Sequence, residues 1–255
     1  MSSLDILAIA AHRDDVEQTC GGTLLKAAQR GQKTGILDLT QGEMGTRGTA
    51  EERAREAADA AKILSVNWRR ALDIPDGRVE NTWENRLKVA AGIRETRPRV
   101  VILPYWKGRH PDHYTCSVLG YEACFLAGLS KLALRSQPSV LGQSKPETEK
   151  IEILSPHRPF KIVYATLYYD VRPSFVVDIS EQFEKKFASI LAYKSQFSDQ
   201  EAGKDIFPAH DEIRARVESM ARFYGGLGGV RFAEPFLQKE VGLVDDLLAI
   251  PVKSI

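Results

Sequence analysis

The sequence predicts an α/β protein whose mainly parallel sheet carries helices on both faces, a Rossmann-like arrangement. Three observations carry that reading. Short apolar runs of strand length recur through the N-terminal half, and helix-like segments separate them. Polar clusters rich in histidine then follow two of the runs. In such sheets ligands bind beyond the carboxyl ends of the strands. A site is therefore expected on the loops after Ala11, Leu39 and Leu103, with any metal at those strand ends.

The elements follow in order. Leu4 to Ala11 is apolar apart from Asp5, as a buried parallel strand should be. Thr23 to Arg30 reads as a helix closed by Gly31, and Thr34 to Leu39 as a second strand. Thr49 and Glu52 have capping-box spacing before an alanine-rich helix, Arg53 to Leu64. Trp68 to Ile74 reads as a short strand ended by the turn Pro75-Asp76-Gly77. Asn81 and Glu84 are placed to cap a helix reaching Thr96. Pro98 separates that helix from the strand Val100 to Leu103, which Pro104 ends. Asp112 to Ala127 reads as helical and Ser136 to Lys150 as a flexible surface loop. Ile162 to Tyr168 and Phe175 to Val177 are strand-like; Ser180 to Tyr193 and Glu212 to Tyr224 are helix-like. Gly225 to Gly229 reads as a turn, because it does not follow a strand and open a helix as a dinucleotide loop must.

A chain of 255 residues with 43% hydrophobic residues can bury a core as one domain, and no composition shift divides 1–255. A net charge of +1 argues against nucleic-acid and membrane-surface partners, which attract strongly basic proteins. Three cysteines, Cys20, Cys116 and Cys124, form no CxxC and fit a reducing compartment. The opening residues lack a basic segment and a long apolar run, so the expected location is the cytoplasm. No stretch approaches the roughly 20 apolar residues that span a bilayer.

Two clusters stand where a site is expected: His12-Arg13-Asp14-Asp15 after the first strand, and Arg109-His110-Pro111-Asp112-His113 shortly after Leu103. Three of the chain's five histidines lie in them. Imidazole nitrogen and carboxylate oxygen are zinc ligands, and a catalytic zinc takes three of them and leaves a place for water. Adjacent Asp14 and Asp15 cannot both address one ion in the same way. One can ligate while the other holds a water, and the residues alone do not say which. Asp112 serves equally as a helix cap or as a partner orienting a histidine. His157 and His210, near prolines, read as surface residues. Cys20 reads as a small buried residue, and Cys116 and Cys124 as core. Arg47, Arg53 and Arg109 lie on or beside the mouth loops and are candidates to bind carboxylates of a substrate. Arg53 opens a helix, where a cation does not complement the dipole.

Ala11-His12-Arg13-Asp14-Asp15, continued by Val16-Glu17 and Gly21-Gly22-Thr23-Leu24, resembles the first motif of the PIG-L/LmbE-like N-acetylglucosaminyl deacetylases. His110-Pro111-Asp112-His113 resembles their second. Residues 37–43, 45–49, Pro104-Tyr105-Trp106, 173–178, 192–197, Tyr224-Gly225-Gly226 and 233–236 are similar to the branch that acts in bacillithiol synthesis. The resemblance implies a hydrolase using Zn2+ held by His12, Asp15 and His113. It implies Asp14 as general base, His110 beside the tetrahedral intermediate, and Tyr193 as a donor to the oxyanion. The implied partner is a small-molecule N-acetyl sugar, first N-acetylglucosaminyl malate, and the implied assembly a homo-oligomer. A chitooligosaccharide substrate, or a non-catalytic metal- and sugar-binding protein, are the alternatives. Arg13 stands where that family has proline. It frees the backbone and adds a charge that could reach Asp14, point away, or meet an anionic substrate.

Overall fold

The structure, a computed structural model, describes residues 3–136, 153–168, 171–198, 209–250 and 252. Nearly all of the expected 136–150 loop lies outside the described residues. In chain order the elements are β1 (Ile6–Ala10), α1 (Asp15–Thr19), α2 (Gly21–Gln29), β2 (Thr34–Asp38), α3 (Ala50–Ile63), β3 (Trp68–Ala71), α4 (Trp83–Thr96), β4 (Val100–Pro104) and α5 (Pro111–Ala127). There follow β5 (Leu134–Arg135), β6 (Ile153–Leu154), β7 (Lys161–Ala165), β8 (Phe175–Asp178), α6 (Phe183–Leu191), α7 (Lys194–Phe197), α8 (His210–Gly228) and β9 (Ala233–Leu237).

The main sheet has the order β3-β2-β1-β4-β7-β9-β8. The first five strands are parallel, and β9 runs antiparallel to both β7 and β8. The order reverses between β1 and β4, which puts the crevice for a ligand at their carboxyl ends. Strand alternation divides the core. Leu7, Ile9, Leu37, Leu39, Val101 and Leu103 pack against α4 and α5. Ala8, Ala10, Ile36 and Ile102 face Val16, Cys20 and Leu24 of α1 and α2 on the other side. Gly120 lets α5 close onto β4, since a Cβ there would stand 2.4 Å from Leu103 Cδ2. No helix among the described residues is long and apolar enough to cross a membrane.

The expected capping box of α3 is present: Thr49 Oγ1 accepts from the Glu52 N–H, and Glu52 accepts from the Thr49 N–H. Other local expectations need correction. Thr82, not Asn81, caps α4, because Asn81 is engaged with Arg86 and Glu122. Gly225 to Gly228 continue α8, and Gly229, at φ 66°, ends it. Gly225 is needed inside the helix because a Cβ would stand 2.7 Å from the Val230 carbonyl oxygen.

The strand β9 has no counterpart in the sequence reading, since Glu234 and Pro235 break its apolar pattern. Glu234 is 1% exposed and is held by three donors. They are the Gly22 and Thr23 N–H groups at the start of α2, and Lys186 Nζ at 2.6 Å. One carboxylate thus ties β9, α2 and α6 together. Replacing Lys186 with methionine strands that charge, and urea unfolding should show a loss of about 3–5 kcal/mol. A loss under about 1 kcal/mol would mean that the two N–H groups suffice.

Candidate metal centre and active site

The chain leaves β1 at Ala10 and turns through His12 to Asp15, where α1 begins. The turn closes on itself: the His12 N–H donates to Asp15 Oδ2 at 2.9 Å, and the Asp15 N–H to the His12 carbonyl at 3.4 Å. After β4 the chain reaches His110, the N-cap of α5, and His113 in that helix's first turn. Pairing of β1 with β4 brings the two segments together. His12 Nδ1 lies 3.4 Å from Asp15 Oδ2 and 3.2 Å from His113 Nε2, and His113 Nε2 lies 3.2 Å from Asp15 Oδ1. A tetrahedral ion bonded at about 2.0–2.1 Å, as zinc is, sets its ligand atoms about 3.3–3.4 Å apart. The two nitrogens, with one oxygen of the Asp15 carboxylate towards each, are spaced as the ligands of a single divalent ion would be.

His12 is oriented from behind. Its Nε2 faces Asp76 Oδ1 at 3.1 Å and Asp112 Oδ2 at 3.4 Å, which leaves Nδ1 for the ion. Both carboxylates are themselves fixed. Asp112 accepts from the Gly77 and Val79 N–H groups, and Asp76 from the Met44 N–H. Of the two roles open to Asp112, the structure assigns the orienting one, and His110 makes the cap. Asp76 was read only as part of a turn. Burial opposes charge on His12, but Asp15, Asp112 and Asp76 outweigh it and push its pKa up to about 12. Burial likewise opposes charge on His113, and Asp15 raises it. Burial favours a neutral Asp15, yet His113 and His12 hold it well below the usual carboxylate range.

Asp14 is half-buried beside this cluster. Arg53 Nη2 donates to its Oδ1 at 2.9 Å and Gln18 Nε2 to its Oδ2 at 3.1 Å. Arg53 also donates to the Gly42 carbonyl. Gly42, at φ 74°, has to be glycine there, since a Cβ would stand 2.2 Å from Arg53 Nη1. That contact with Asp14 accounts for a cation at the start of α3. His110 is exposed at the mouth, its ring stacked on His113 at 4.8 Å. The Asp112 N–H donates to His110 Nδ1 at 3.2 Å, which puts the proton of the neutral ring on Nε2. Partial burial and the charges of His12 and His113 lower its pKa.

Other expected site residues sit elsewhere. Arg13 is buried, and its guanidinium donates to the Ala50 carbonyl at 2.6 Å, so it points to α3 rather than to Asp14. Arg47 is buried and donates to the carbonyls of Gln196 and Ser198. Tyr193 is fully buried, its hydroxyl against the Arg13 carbonyl and Glu17. Arg47 and Tyr193 are thus engaged inside the protein, where the sequence reading had them meeting substrate. Arg109 remains exposed at the mouth, its guanidinium without a partner among the described residues. Beside Asp15 and His113 a cavity of about 30 Å3 opens between β1, β4, β7 and α1, lined largely by apolar groups such as Ala10, Cys20 and Ala165.

Residues 7–124, which include both clusters, match the family profile PIG-L, GlcNAc-PI de-N-acetylase. The chain is 30% identical over 240 residues to the diacetylchitobiose deacetylase of Thermococcus kodakarensis, covering 90% of this chain and 80% of that protein. The crystal structure of the conserved protein TT1542 from Thermus thermophilus superposes with a TM-score of 0.78 at 40% identity, over 95% of this chain and 98% of that one. The N,N'-diacetylchitobiose deacetylase from Pyrococcus horikoshii does so with a TM-score of 0.73 at 25% identity, over 91% and 82%. With two histidine clusters joined across a parallel sheet and this likeness along nearly its whole length, the chain belongs to the PIG-L de-N-acetylase family.

Proposed function

We propose that the protein is a zinc-dependent hydrolase that removes the acetyl group from the nitrogen of an N-acetylglucosaminide. The observation that carries this reading is the convergence of His12 Nδ1, the Asp15 carboxylate and His113 Nε2 at 3.2–3.4 Å beside a second carboxylate, Asp14. Two nitrogens and one carboxylate with an open side form the donor set of a catalytic zinc. These three residues would hold the ion, which supplies Lewis acidity to an amide carbonyl and acidifies a water.

The remaining chemistry belongs to the side chains. Asp14 takes the proton of the attacking water, and Arg53 and Gln18 aim its two oxygens. A carbon–oxygen bond forms at the acetyl carbonyl. His110, with its proton on Nε2, donates to the oxyanion that develops there. The carbon–nitrogen bond then breaks, and Asp14 returns the proton to the departing amine. The small apolar cavity beside Asp15 and His113 suits the methyl of an acetyl group.

The substrate we favour is N-acetylglucosaminyl malate. Arg109 offers at the mouth, for its carboxylates, a guanidinium without a partner among the described residues. A second reading, N,N'-diacetylchitobiose, is favoured by the names of the Thermococcus and Pyrococcus relatives. The buried free cysteines support a reducing, cytoplasmic setting. Val241, Leu243, Leu247 and Leu248, all 80% or more exposed, support a homo-oligomer that covers them.

Asp14→Asn should retain zinc and lose about 10²–10⁴-fold in kcat. Turnover equal to wild type would take the base role from Asp14. Acetate release should be compared for N-acetylglucosamine, its malyl glycoside and diacetylchitobiose, with and without chelator. The malyl glycoside should be turned over fastest and chelation should abolish release; faster release from diacetylchitobiose would favour the second reading. Arg109→Ala should raise KM for the malyl glycoside about 10-fold or more, the size of one charged hydrogen bond, and leave diacetylchitobiose unaffected. Equal effects on both substrates would remove Arg109 from carboxylate recognition.

A further inference from the structure

Behind the metal centre lies a charged group that the proposed chemistry does not use. Arg69, on β3, has a side chain only 10% exposed. A guanidinium has five N–H donors, and here five acceptors meet them. Nε and Nη2 take the two oxygens of Asp38 at 2.9 and 3.1 Å. Nη1 takes Glu17 Oε1 at 2.6 Å and the Ala57 carbonyl at 3.2 Å. The second donor of Nη2 goes to the carbonyl of Arg13. Asp38 and Glu17 are 1% and 0% exposed, so the fork is fixed on two buried carboxylates. The Tyr193 hydroxyl meets the same Arg13 carbonyl from the other side. Two donors saturate a carbonyl oxygen.

That carbonyl belongs to the peptide joining Arg13 to Asp14, inside the turn whose ends are the donors His12 and Asp15. Arg13 leaves φ free at this point, as proline would not. The hydrogen bonds between His12 and Asp15 close the ends of the turn, and its middle peptide needs an anchor of its own, because a metal site tolerates errors of only about 0.5 Å. We propose that Arg69 is a positioning residue for the metal centre, locking the His12–Asp15 turn by anchoring the Arg13 carbonyl to Asp38 and Glu17, with Tyr193 as the second clamp. The inference rests on the reading of His12, Asp15 and His113 as metal ligands.

The test is zinc affinity, measured by chelator competition on the full chain, in a set of variants. Arg69→Lys keeps a cation beside Asp38 and Glu17 but loses the fork. Tyr193→Phe removes the second clamp and leaves every charge in place. Arg13→Pro stiffens the turn directly, and the Arg13 N–H that it removes makes no hydrogen bond among the described residues. Arg69→Lys should weaken zinc binding about 10–100-fold, the usual effect of losing an outer partner of a metal site. Tyr193→Phe should weaken it less. Adding Arg13→Pro to either should restore affinity to within about threefold of wild type, and the Co2+ absorption bands should recover with it.

Unchanged zinc affinity in both folded variants overturns the proposal and leaves the metal reading standing. So does a loss that Arg13→Pro fails to recover, since Arg69 would then act through charge or fold. If Arg69→Lys does not fold, Tyr193→Phe with and without Arg13→Pro decides by the same criteria. A wild-type protein that binds no divalent ion overturns the metal reading, and this inference with it.

Discussion

The parallel pairing of β1 with β4 is the contact on which the centre depends. Ile6, Leu7 and Ala8 lie opposite Val100, Val101 and Ile102. This register is not free to slip. A shift of one residue would send Leu7 and Ile9 to the face of α1 and α2, and Ala8 and Ala10 to that of α4 and α5. Because it holds, two turns far apart in sequence open side by side, and two imidazole nitrogens and one carboxylate converge at ligand-to-ligand distance.

Charge at this crevice is organised around an excess of carboxylates. Asp14, Asp15, Asp76 and Asp112 crowd against His12, His113 and Arg53. Arg53 answers Asp14. The other three acids face the imidazoles of His12 and His113 and between them raise the pKa of both. This surplus of negative charge around two imidazoles is a setting that stabilises a cation. The second charged layer, Arg69 with Asp38 and Glu17, lies behind the first and joins it at the Arg13 carbonyl. All five of its donors are met inside the protein.

The sheet and the two histidine clusters were legible in the sequence because they rest on local signals. Continuous apolar runs mark buried parallel strands, and motifs at strand ends mark a site. The strand β9 was hidden by Glu234 and Pro235. Its carboxylate is explained only by Lys186 and the α2 N-terminus, both far away in sequence. Asp76 and Arg69 were hidden for the same reason. A proline-aspartate-glycine run looks like a turn whatever its aspartate faces, and an arginine in a short strand looks like solvent-facing charge. Arg47 and Tyr193 show the converse. Neither the place of Arg47 beside a mouth loop nor the resemblance behind Tyr193 carries any sign of the carbonyls that hold them inside.

Burial divides the crevice into an inner and an outer layer. His12, Asp15, Asp76 and Asp112 are buried and joined by hydrogen bonds to one another and to backbone, whereas His110 and Arg109 stand exposed on the α5 approach. The two layers meet at Asp76, which accepts from the Met44 N–H in the mouth loop with one oxygen and faces His12 with the other. Groups at the exposed rim can change without disturbing the buried donors. A change at Gly42 cannot, because the Arg53 fork passes against it on the way to Asp14. The outer part of the mouth is thus open to variation, and the inner part is the one that the sheet holds still.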